Sequence, residues 1–99
     1  MANEKPNTPP QLQLQIDDKV AEGIYVNSAN VMFNKGEFVI DFIRITPPPG
    51  KPKVMSRVIM SPFQMKAFLK ALENNVEKYE NQHGKIIIDN SDKKVGFDR

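Results

Sequence analysis

The sequence predicts an α+β domain: a four-stranded antiparallel β-meander followed by one long C-terminal helix packed on one face of the sheet (ββββα). Three observations predict it. Four short segments before residue 61 either alternate apolar with polar residues or are rich in β-branched and aromatic ones. Clusters of proline, glycine, asparagine and aspartate separate them. After residue 61 the apolar residues change to helical spacing.

The elements follow in order. Residues 1–10, MANEKPNTPP, are polar and proline-rich and are expected to be a disordered tail. In Gln11–Ile16, Leu12, Leu14 and Ile16 point one way and three glutamines the other, the period of a half-buried strand. Asp17 and Asp18 end it, and Lys19–Gly23 forms a short connection with room for one helical turn. Ile24–Phe33 is the second strand. Asn34-Lys35-Gly36 is a turn, with glycine free to take positive φ. Glu37–Thr46 is the third strand, Pro47–Pro52 a stiff loop, and Val54–Met60 the fourth strand.

Ser61-Pro62-Phe63-Gln64 is the sharpest local signal. Serine caps a helix, proline suits its first position, and glutamine at the third reaches back to the cap. The helix is expected to run to about His83, with Gly84 ending it in a left-handed conformation. Met65, Phe68, Leu69, Leu72, Val76 and Tyr79 form its apolar stripe. A helix of ~22 residues is roughly 33 Å long, enough to lie along the whole sheet. Burying that stripe there would contribute on the order of 10 kcal/mol before entropy is subtracted. Ile86–Ile88 is a brief β-branched run that could add a fifth strand. The single domain thus spans 11–88, followed by a charged flexible tail over 89–99.

Composition narrows the function. The chain has 99 residues, 39% hydrophobic and 26% charged, which suits one globular domain with a small core. It has no cysteine, so disulfides, thiolate metal sites and cysteine nucleophiles are excluded. No apolar run suits a signal peptide or a membrane span, and a cytoplasmic protein is expected. The net charge of +2 does not by itself imply nucleic acid. The glycines are scattered, so no phosphate loop exists. His83 stands alone, Ser28, Ser56 and Ser61 have no histidine base nearby, and no catalytic, metal or cofactor site is expected.

The expected function rests on faces and charges. On the third strand Phe38, Ile40 and Phe42 oppose Val39, Ile43 and Ile45. On the fourth, Val54, Val58 and Met60 oppose Met55 and Ile59. Both faces of the sheet are therefore apolar, and one helix covers only one. A second copy of the chain is expected to cover the other, giving a homodimeric binding or scaffold module. On the helix, Lys66 and Lys70 precede Glu73, Glu77 and Glu80 on one flank, an order that opposes the helix dipole. Two such helices packed antiparallel would set lysine against glutamate; alone, the same residues make a solvated flank.

Asp41 sits inside the apolar third strand and needs a cation beside it. Arg57, and after it Arg44, are the expected partners in a structural ion pair; a hairpin centred on the proline loop brings Arg57 near Ile43. Arg44, Lys51, Lys53 and Arg57 also concentrate positive charge beside Phe42 and Tyr25. That combination is the basis of the alternative reading, a single-stranded nucleic-acid binder using a basic β-hairpin edge.

The blocks GIYVNSANVMFNKGEFVIDFIRI, KVMSRVIMSP and MKAFLKALENNVEKYENQHG resemble the family known as domain of unknown function 3467, over roughly Leu12 to Gly84. The most specific pieces are Glu37–Phe42 with Arg44, and Ser56–Pro62. The resemblance implies the same strand order and helix start, and no assigned activity. The predicted topology also resembles that of the Whirly and PUR-type single-strand-binding proteins, on strand and helix order alone.

Overall fold

The computed structural model describes residues 12–89. The predicted tail over 1–10 lies outside them, as does the one over 89–99 apart from Asp89. Five elements follow one another: α1 (Asp18–Ala21), β1 (Ser28–Phe33), β2 (Phe38–Arg44), β3 (Lys53–Met60) and α2 (Pro62–His83). The strands form one antiparallel sheet in the order β1-β2-β3. It is an α+β fold with three strands and a C-terminal helix.

The predicted first strand is not among them. Leu12–Ile16 forms no strand with any described residue, and Leu12, Leu14 and Ile16 are all exposed. Alternation gives a segment two faces; it does not give it a partner edge, and a strand exists only in a ladder. The second strand also starts later than expected, at Ser28 rather than Ile24. Asn27 continues its pairing with side-chain groups: Asn27 Nδ2 donates to the Ile45 carbonyl at 3.0 Å, and Asn27 Oδ1 accepts from the Ile45 N–H at 2.8 Å.

The β1–β2 turn stands where Asn34-Lys35-Gly36 predicts it, by a different device. Asn34 Oδ1 accepts from the N–H groups of Gly36 at 2.8 Å and Glu37 at 2.9 Å. Gly36 is not at positive φ; among the described residues Gly23 and Gly84 are the glycines that adopt it. The asparagine side chain, which imitates a backbone turn, holds this loop.

β2 is the central strand, and its register sets the two faces. Phe38 pairs with Phe33 and Met60, Ile40 with Val31 and Val58, and Phe42 with Ala29 and Ser56. Val39 pairs with Met32 and Ile59 on the other face. Between Phe42 and Ile43 the register slips by one residue, so Ile43 meets Val54 and Met55 becomes a bulge. Val54 therefore leaves the face predicted for it with Val58 and Met60 and joins Ile43. Apolar side chains do occupy both faces, but among the described residues Ala29 and Ile40 are the buried apolar ones.

α2 begins as its sequence dictates. Ser61 is extended and its Oγ accepts from the Gln64 N–H at 3.2 Å. Gln64 Oε1 in turn accepts from the Ser61 hydroxyl at 3.1 Å. Pro62 takes the first helical position, where its missing donor costs nothing. At the other end Gly84 has φ +98° and ψ 163°. The positive φ is as expected, but ψ is extended, a region outside the left-handed helix that glycine alone enters easily. The larger departure is in packing. α2 buries none of its residues, so the predicted helix-along-sheet packing is absent. Only the first turns lie close to the sheet, where Met60, Gln64, Ala67 and Phe68 line a shallow, mostly apolar depression.

Candidate functional site

The first candidate is polar and lies on the sheet. Asp41 and Arg57 are register partners on β2 and β3. Arg57 Nε donates to Asp41 Oδ1 at 2.6 Å, and one terminal nitrogen donates to Oδ2 at 2.8 Å. This is a two-toothed grip that matches guanidinium to carboxylate. The exposures are unequal: 8% for the Asp41 side chain and 59% for that of Arg57. The carboxylate is tucked into the sheet and the arginine lies over it. The hydrogen bonds from Arg57 hold the Asp41 carboxyl below its ordinary pKa; desolvation opposes this, and the charge of Arg57 adds to the lowering. The same hydrogen bonds, and the charge of Asp41, raise the pKa of Arg57.

The four predicted cations do not form one patch. Arg57 shares its face with Asp41, whereas Arg44, three residues beyond Asp41, lies on the opposite face of β2. Arg44 is not placed against Asp41: its Nε donates to the Tyr25 carbonyl at 3.2 Å. Lys53 is the register partner of Arg44, and Lys51 is exposed in the proline loop. The basic edge thus reduces to Arg44, Lys51 and Lys53, with Arg44 bonded to the backbone of Tyr25, itself an exposed residue. The predicted proximity of Arg57 to Ile43 is replaced by direct pairing with Asp41, because the hairpin centre and the Met55 bulge shift the register.

The second candidate is the apolar stripe of α2. Leu69, Leu72, Val76 and Tyr79 are 51, 46, 44 and 51% exposed. Met65 and Phe68, nearest the sheet, are half-buried. Beyond Phe68 the stripe is uncovered. Near its end the Tyr79 and His83 rings pack at 4.9 Å between centroids. Asn75 Nδ2 donates to the Ala71 carbonyl at 2.8 Å, one turn back. Sequence periodicity identified these residues correctly and misplaced what lies against them.

Among the described residues no group of three or more histidine, cysteine, aspartate or glutamate side chains could hold a metal. No helix among them is long and apolar enough to cross a membrane.

A three-stranded antiparallel sheet, one arginine-gripped aspartate and a C-terminal helix capped by Ser-Pro define a small α+β domain. The chain belongs to the family described as Protein of unknown function (DUF3467), whose match spans residues 1–88. That match begins before the quoted blocks and extends past Gly84 to take in Ile86–Ile88. No curated protein and no solved structure is detectably similar to the chain.

Proposed function

We propose that this protein is a non-enzymatic binding or scaffold module that acts as a homodimer. The uncovered stripe of α2 carries the reading. Four large apolar side chains in a row, each about half exposed, lie on a helix whose length exceeds what its own sheet touches. Contiguous apolar patches of this kind on a small protein mark association surfaces. A second copy supplies an identical stripe by symmetry.

Sedimentation velocity tests it. The expected particle has twice the chain mass of 11.3 kDa. Leu72→Asp, at the middle of the stripe, is expected to yield a folded monomer. A wild-type chain that stays monomeric at its highest soluble concentration overturns the reading.

A second reading keeps one specific support: Arg44 is bonded to the backbone carbonyl of the exposed Tyr25, with Lys53 opposite Arg44 on the neighbouring strand. An aromatic face next to cations suits a single-stranded nucleic acid. Its test is binding of a labelled oligonucleotide at low and high salt, which should weaken steeply with salt and be lost in a Lys51→Ala, Lys53→Ala double variant.

A further inference from the structure

We propose that α2 pairs with α2 of a second copy in antiparallel orientation, with the twofold axis close to Asn74. The proposal rests on the homodimer reading and adds the partner's direction and register.

Spacing comes first. Met65, Leu69, Leu72, Val76, Tyr79 and His83 follow one another at steps of 4, 3, 4, 3 and 4 residues. That is the seam of a two-helix coiled coil. Beyond Met65, which is half-buried, the seam stays open: Leu69, Leu72, Val76 and Tyr79 are about half exposed, and the depression beside β3 is lined by Gln64, Ala67 and Phe68, which lie off the seam. In antiparallel register Leu72 meets the partner's Val76, Leu69 the partner's Tyr79, and Met65 the partner's His83. All six seam positions are then filled.

Charge fixes the direction. Lys66, Lys70, Glu73, Glu77 and Glu80 all lie on one side of the seam, basic first and acidic last. On a lone helix this order is unfavourable twice. It places lysines at the positive end of the dipole, and it sets like charges four residues apart in Lys66–Lys70 and Glu73–Glu77. Parallel pairing adds lysine against lysine and glutamate against glutamate. Antiparallel pairing about Asn74 brings Lys66 level with the partner's Glu80 and Lys70 level with the partner's Glu77. One like-charge approach remains, Glu73 to its own copy at the axis, between the two Lys70 side chains. Glu80 is already held on this flank, since its Oε2 accepts from the Ile86 N–H at 2.9 Å. The charge order thus favours one orientation and opposes the other.

Charge-swap variants test this. Lys66→Glu with Lys70→Glu makes the flank wholly acidic; Glu73→Lys, Glu77→Lys and Glu80→Lys make it wholly basic. Each variant is expected to dimerise at least about tenfold more weakly than wild type, and an equimolar mixture to recover a dimer. Lys66, Lys70, Glu73 and Glu77 are exposed and Glu80 is half-buried beneath its bond from Ile86; circular dichroism verifies that the helix remains. Orientation is read by cross-linking, since the chain has no cysteine of its own. Asn75→Cys, near the axis, should couple efficiently with a short bis-maleimide. His83→Cys should not, because two copies of that position stand roughly 27 Å apart along the pair. Dimers that ignore the charge swaps, or that cross-link through position 83, overturn the antiparallel register while leaving the homodimer standing. A monomeric wild type removes both.

Discussion

Asp41 and Arg57 face each other across β2 and β3 with opposite relations to solvent: the acid is buried and the base that grips it is mostly exposed. The arginine is a cover as well as a counter-charge. Its removal takes away two hydrogen bonds and opens the carboxylate to water in the same step. In Arg57→Ala the Asp41 pKa is expected to rise back towards its ordinary value, read by NMR titration of the side-chain carboxyl. Arg57→Lys, which keeps the charge and loses the fork, should fall between the two. An unchanged Asp41 titration in Arg57→Ala would show that another group holds it.

The same pair makes an acid-dependent contribution to stability. Because folding lowers the Asp41 pKa, the unfolded chain binds more protons as pH falls below about 4. The contribution is therefore fully present above that value and is lost as pH drops through the folded pKa. Arg57 has its pKa raised, so its share is lost only at alkaline extremes. Urea midpoints of wild type and Asp41→Asn should differ at pH 7 and converge in strong acid. Parallel curves across the whole range would remove the linkage.

The β1–β2 turn should depend on asparagine and tolerate loss of its glycine. Asn34→Ala removes two side-chain acceptor bonds and is expected to cost about 1 kcal/mol. Gly36 has no positive φ, and a Cβ there would meet only Asn34 Oδ1, at 3.8 Å. Gly36→Ala should be neutral or stabilise by up to ~1 kcal/mol through the unfolded chain. Thermal melts of the two variants shifting in the reverse order would sink this assignment.

Ser61→Ala should destabilise the domain by about 1 kcal/mol through loss of the bond from the Gln64 N–H, with Ser61→Asp largely retaining stability. A thermal midpoint unmoved by Ser61→Ala would place the helix start elsewhere.

Leu14→Ala should change stability by less than ~0.5 kcal/mol, because Leu14 is exposed on a segment that forms no strand with any described residue. A larger loss, seen by denaturant unfolding, would mean that Leu12–Ile16 is covered in solution.

Local chemistry explains what the sequence made readable. Ser61-Pro62-x-Gln64 contains its own reason for starting a helix, and β-branched runs flanking Asn34 and the proline loop find partners close in sequence. α2 and the β1-β2-β3 order follow from these. Asp41 required a cation for the same kind of reason, since a carboxylate between Ile40 and Phe42 is poorly hydrated. What failed required knowledge of distant geometry. The alternation of Leu12, Leu14 and Ile16 says which faces a strand would have, not which edge would accept it. The bulge at Met55 has no marker in composition, yet it turned Val54 over and moved Arg57 opposite Asp41. The helix stripe announced that something apolar must meet it, and the sheet was the nearest candidate, but α2 buries none of its residues against it.

The bareness of the interior has a cellular consequence. A chain whose buried apolar side chains, among those described, are Ala29 and Ile40 has little surplus with which to resist unfolding. With α2 paired as proposed, the missing burial comes from a second polypeptide, and the population of folded chains then depends on how many are made. Synthesis rate becomes a folding variable. Below a threshold abundance the protein would be cleared by proteases before it assembled, and substitutions on the outside of one helix would act as loss-of-expression alleles.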